Sequence, residues 1–146
     1  MSDFDKQVMQ VLEGYKAAVL AKDVDAFIKL YSQNVRVFDA WGVWCHQGVM
    51  EWRQVVEQWF ASLGEESVAV SMEEIQITGA QEWALLSAIV TYAGMSLAGE
   101  RLRAMQNRLT WGMSREGGSW RIVHEHTSAP IGFDDMKAIL ERNSAT

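Results

Sequence analysis

The sequence predicts an α+β fold, with N-terminal helices packed on one face of a mostly antiparallel sheet. Two observations carry this. Up to Leu63 the apolar residues mostly recur at helical spacing, and from Ser67 to Ser128 the period falls to two. Three glycine-bearing pairs, Gly79-Ala80, Ala98-Gly99 and Gly117-Gly118, divide the second stretch and read as turns between long strands.

Phe4 to Ala21 reads as an amphipathic helix, with Val8, Val11, Leu12, Tyr15, Val19 and Leu20 on one side and Ser2 or Asp3 as its cap. Lys22-Asp23 breaks it, and Asp23 can cap a second helix from Val24 to Tyr31. Asn34 to Ala40 alternates as a strand, with Val35, Val37 and Asp39 on one face and Arg36 and Phe38 on the other. After a turn at Trp41-Gly42, Val43 to His46 reads as a short returning strand. A third helix spans Val49 to Leu63, with Met50, Val55, Val56, Trp59 and Phe60 as apolar positions and Gly64 as its stop. Four long strands follow: Val68–Thr78, Trp83–Ala98, Arg101–Arg115 and Ser119–Ser128. Phe133 to Arg142 reads as a short terminal helix. The strand after Trp83 is apolar on both faces. Trp83, Leu85 and Ile89 alternate with Leu86, Val90 and Tyr92, so one face covers the helices and the other needs a partner. A second copy of the chain is the simplest partner, and Leu109, Trp111 and Met113 read as a further part of its interface.

The 146 residues fit one domain, and 49% hydrophobic with 22% charged residues is ordinary for a globular protein. Seven Trp and eight Met exceed the needs of a small core and suit a pocket or an interface. The net charge of -6 and the lack of a basic cluster argue against nucleic acid. No apolar run approaches the roughly 18 residues that span a bilayer. The acidic start Met1-Ser2-Asp3-Phe4-Asp5 lacks the apolar core of a signal peptide, and Cys45 stands alone. These features lead to the expectation of a cytoplasmic protein without disulfides or membrane contact.

The stretch Trp120-Arg121-Ile122-Val123-His124-Glu125-His126-Thr127-Ser128-Ala129-Pro130 resembles the last strand of the SnoaL-like and ketosteroid-isomerase-like branch of the nuclear transport factor 2 superfamily. It looks closest to the association domain of calcium/calmodulin-dependent protein kinase II and its bacterial relatives. Arg108-Leu109-Thr110 matches the Arg-x-Thr of that branch, and the front half of the chain matches in order of elements. The resemblance implies a single domain over residues 1–146. It implies a cone whose strongly curved sheet wraps one long helix and opens at one end into a pocket, and a homodimer through the outer sheet face. Members of the family include isomerases, cyclases, dehydratases, ligand binders and oligomerisation hubs, so the fold alone fixes no activity.

Asp39 lies near the end of the first strand, where ketosteroid-isomerase-like members place a catalytic carboxylate. Aromatic neighbours such as Trp41, Trp44 and Trp59 would raise its pKa and suit it to moving protons. The competing reading is an Asp bonded to backbone at a strand end. Arg108 shares a face with Gln106 and Thr110, read here as the pocket face. A buried guanidinium there would bind a ligand carboxylate or pair with Glu125. The kinase association domain carries an Arg where this chain has Thr127, so the arginine cluster is incomplete. His124 and His126 lie two apart on the last strand, but no third ligand completes a metal site, and no metal or other cofactor is expected. Tyr15, Tyr31 and Tyr92 are candidate hydroxyl donors. The resulting expectation is a pocket protein for a small carboxylate or carbonyl compound, acting as an isomerase, dehydratase or cyclase through Asp39. The alternative is a non-catalytic ligand-binding or oligomerisation module.

Overall fold

The computed structural model describes residues 2–142. Helix α1 spans Asp3–Ala21 and begins with a capping box: the Ser2 hydroxyl accepts from the Asp5 N–H, and the Asp5 carboxylate accepts from the Ser2 N–H. Val8, Val11, Leu12, Tyr15, Ala18 and Val19 form its buried stripe. It ends where Lys22 turns left-handed at φ 53°. Helix α2 spans only Val24–Ile28, capped by Asp23, and Tyr31 already belongs to strand β1, Tyr31–Phe38. The longer second helix read from the sequence is therefore wrong. Tyr31 must point inward, where its hydroxyl meets Glu125, and β1 runs parallel to the last strand from this residue onward.

Strand β2 is reduced to His46–Gln47, and helix α3 spans Val49–Ser62. Its buried positions are Trp52, Val56 and Phe60, one residue every four; Met50 instead faces out, 77% exposed. Strands β3 (Ser67–Gly79), β4 (Trp83–Met95), β5 (Arg101–Glu116) and β6 (Ser119–Ser128) form an antiparallel meander. The full sheet runs β2-β1-β6-β5-β4-β3, with β1 and β6 the parallel pair. The helices pack on its concave face and the sheet does not close on itself, an α+β arrangement of the expected kind. No described helix is long and apolar enough to cross a membrane.

Two expectations fail at the sheet's faces and end. Asn107, Leu109, Trp111 and Met113 of β5 are buried, so they form the concave face and not the outer one. Arg108 consequently points outward, exposed, with its Nε donating to the Ser128 hydroxyl at 3.1 Å. The tail from Phe133 to Arg142 is not a helix. Gly132 N–H donates to Lys137 O, Ile139 N–H donates to Pro130 O, and Met136 sits left-handed at φ 62°. Apart from one helix-like turn, Met136 N–H to Gly132 O, the backbone donors bond across this loop instead. The chain then reaches Leu140, whose carbonyl accepts from Gln106 N–H of β5.

The reversed faces of β5 have a direct test. Leu109→Asp buries a carboxylate at a position only 1% exposed and should abolish the folded state, at a cost above about 4 kcal/mol. Arg108→Met, on the outer face, should move the melting temperature by no more than about 2 °C. Thermal unfolding by circular dichroism reads both, and the opposite ranking would contradict this assignment of faces.

Candidate functional site

A bulge in β6 decides which side chains reach the interior. Ile122 pairs with Met113 and His124 with Gly112, so Val123 is an extra residue without its own partner. Trp120 and Ile122 point into the core before it. Without the bulge, His124 and His126 would follow them inward. With it, the phase slips by one residue, and Glu125 and Thr127 point inward instead.

Glu125 is only 2% exposed. Its Oε1 accepts from the Tyr31 hydroxyl at 2.5 Å and from the Trp111 indole N–H at 2.9 Å. Its Oε2 accepts no hydrogen bond among the described residues. Burial pushes its pKa up to about 7, the two donated bonds oppose that rise, and the nearby charge of Asp39 adds to it. At neutral pH this carboxyl is therefore poised between its two states. Asp39, just beyond β1, is also raised by burial; the Thr127 hydroxyl, donating to its Oδ1 at 3.1 Å, works against the shift. Thr127 is itself held by the Ala40 N–H at 3.0 Å. The Tyr15 and Tyr92 hydroxyls share a 2.8 Å hydrogen bond, and burial raises all three tyrosines above their usual range, so they stay protonated donors.

Glu125, Asp39, Tyr15 and Tyr92 line one cavity of about 570 Å³ beneath α3. Trp41, Trp52 and Trp59 supply aromatic wall, with the Trp59 and Tyr92 rings edge to face at 6.1 Å. A second, more open groove of about 830 Å³ lies over the end of β1 and the tail, lined by Arg36, Phe38, Trp44, His126, Ile131 and Leu140 among others. Asp39, Trp41, Met105 and Asn107 border both spaces.

Of the residues read from the sequence, Asp39, Trp41, Trp59, Tyr92 and Glu125 thus meet around the inner cavity, with Thr127 behind Asp39. Trp44, 95% exposed, and His126 belong to the outer groove. His124 stands on the outer face, where its ring and that of His126 flank Phe38 edge to face at 5.0 and 5.5 Å. Partial burial lowers the His124 pKa, helped by the charges of His126 and Arg36. Arg108 lines neither space, and Glu125 is tied to Tyr31 and Trp111 and not to it, because the two residues lie on opposite faces of the sheet. Among the described residues no three His, Cys, Asp or Glu converge as a metal site. Trp52 and Asn107 escaped the sequence reading. The four-residue spacing of Trp52, Val56 and Phe60 was the available signal for the first; Asn107 offered none.

The sequence matches the model of the SnoaL-like domain over residues 8–132. Among solved structures, a nuclear transport factor 2-like protein of unknown function from Pseudomonas putida KT2440 superposes with a TM-score of 0.85 at 23% identity, covering 98% of this chain and 99% of that one. A protein from Xanthomonas campestris, provisionally named a calcium/calmodulin-dependent protein kinase II association domain, gives 0.72 at 14% identity, over 84% and 85% of the two chains. A protein from Streptomyces avermitilis, provisionally named a dehydratase of the nuclear transport factor 2-like family, gives 0.73 at 14% identity, over 90% and 100%. At these identities the likeness shows the fold. No curated protein matches the chain.

Glu125 makes stability fall as pH rises. Its folded pKa, about 7, lies above the ordinary 4.5, so between these values the folded state holds a proton that the unfolded state has released. At about 1.4 kcal/mol per pH unit, the loss across that window is about 3 kcal/mol. Glu125→Gln keeps the shape without the titration, so its stability should fall less over the same window by about that amount. Urea unfolding of both proteins at several pH values gives the comparison, and parallel pH profiles would refute the raised pKa.

Proposed function

Because this chain belongs to the SnoaL-like domain family, we propose that it binds a small molecule in the inner cavity and moves a proton on it, as an isomerase, dehydratase or cyclase does. The observation that carries this is the buried carboxyl of Glu125, with its pKa raised to about 7 and one oxygen free of hydrogen bonds on the cavity. General acid–base catalysis works best with a group that titrates near the working pH, and such a group is worth about 10²–10⁴ in rate. Asp39, which borders the same cavity, is the second candidate base. Tyr92, held protonated by burial, is a donor for an oxygen on which negative charge develops. The provisionally named dehydratase from Streptomyces avermitilis shares the fold, which accords with this reading.

We further propose that the protein is a homodimer through the outer face of the sheet. Trp83 and Leu85 stand there 53% and 42% exposed, and Ile89 continues their row along β4. This face is also what favours the second reading, a binding or assembly module without catalysis. A cytoplasmic location accords with the free thiol of Cys45.

Two measurements test these proposals. In deuterated water, a panel of small ketones and hydroxy-ketones followed by proton NMR should show exchange at the carbon beside the carbonyl. The rate should inflect near pH 7 and drop at least 100-fold in Glu125→Gln. Binding without exchange across the panel would leave the non-catalytic module standing instead. In sedimentation at micromolar concentration the chain should run at twice 16.5 kDa, and Ile89→Asp should give a folded monomer. A wild-type monomer would remove the dimer.

A further inference from the structure

The inner cavity has an electrostatic character that runs against the carboxylate ligand the sequence suggested. Two of its lining residues are acids, Asp39 and Glu125, and among the described residues no Lys, Arg or His lines it. Arg108, the expected anchor for an anion, is on the far side of the sheet. The basic groups near the site, Arg36 and His126, line the outer groove and not this cavity. His46, whose charge acts on Asp39, stacks behind Trp52 with ring centroids 5.6 Å apart and does not reach the cavity surface. An anion entering here would meet two acids and no compensating cation.

The walls are the complement of a cation. Trp41, Trp52, Trp59, Tyr15 and Tyr92 present five electron-rich rings around the two acids. Such faces attract an ammonium within about 6 Å, most strongly where water is excluded. Glu125 keeps Oε2 free, so a cation can reach it without breaking the bonds to Tyr31 and Trp111. A bound positive charge would also relieve the repulsion between Asp39 and Glu125.

Resting on the reading of this cavity as the ligand site, we propose that its ligand is an organic ammonium ion. Its positive nitrogen sits between Asp39, Glu125 and the aromatic walls. The space of about 570 Å³ holds a molecule of drug-like size, larger than a bare alkylammonium.

Three probes of one shape separate the outcomes. They are benzyldimethyl(2-hydroxyethyl)ammonium, its uncharged isostere with a quaternary carbon in place of nitrogen, and the 3,3-dimethyl-4-phenylbutanoate anion. Titration calorimetry, with quenching of tryptophan fluorescence as a second readout, should give the ammonium at least tenfold tighter binding than the isostere, and no saturable binding of the anion. Asp39→Asn should remove most of the preference for the cation while leaving the isostere's affinity within about twofold. The comparison of probes on the wild type stands even where a variant folds poorly. Equal binding of the ammonium and its isostere, or tighter binding of the anion, overturns the ammonium inference and leaves the cavity as a ligand site. No binding by any of the three overturns both.

Discussion

One oxygen atom of Glu125 joins three strands. Tyr31 at the start of β1 and Trp111 in the middle of β5 both donate to it, and Glu125 itself lies on β6 between them. Each bond is worth about 1 kcal/mol in net stability, but each donor left without a partner would cost about 1–3 kcal/mol. The arrangement therefore constrains more than it stabilises. It sets the direction of Tyr31, which ends α2 after five residues, and it holds the Trp111 ring against Tyr15 at 5.4 Å. The Tyr15–Tyr92 pair extends the same polar thread to β4. Burial away from water raises the pKa of this carboxyl, and the two bonds it accepts hold that rise in check.

The periodicities of the sequence sufficed for the order and type of the elements up to Ser128. β6 was delimited to the residue, and β3, β4 and β5 differ from their expected ends by at most a few positions. Alternation along β5 also sorted its residues into two correct sets, with Arg108 opposite Leu109. It could not say which set faced the helices. An apolar set suits a core and an interface alike, whereas in β6 a single extra residue at Val123 inverts the phase, and no local preference marks a bulge at a valine. The same inversion explains why the two histidines, conspicuous in the sequence, stand outside while the glutamate between them forms the floor of the cavity. The terminal helix failed for a similar reason. Its residues are tolerant of helix, but the backbone finds its partners across the loop and on β5.

The site gathers groups that burial disfavours. Two acids share one concavity, and the rest of the fold carries that cost through a core in which Trp111, Phe27, Leu12 and Leu86 are wholly or almost wholly enclosed. Natural folds accept such local penalties mainly where a ligand or a reaction removes them. The outer groove lacks this tension, since its Arg36, Phe38 and histidines already satisfy one another by stacking.

The tail has a role in keeping the chain to itself. β6 ends at Ser128 opposite Arg108, so the preceding half of β5 would present an unpaired edge on that side. Unpaired edges are templates for strands of other molecules, and proteins blunt them with charge, irregularity or a covering segment. Here the segment around Leu140 occupies Gln106 N–H, and Arg142 anchors it by ion pairs to Glu73 and Glu74 of β3. The loop before it, with Met136 left-handed, is too irregular to extend the sheet any further. The chain thus spends its last described residues closing a hydrogen-bonding surface on which aggregates could otherwise grow.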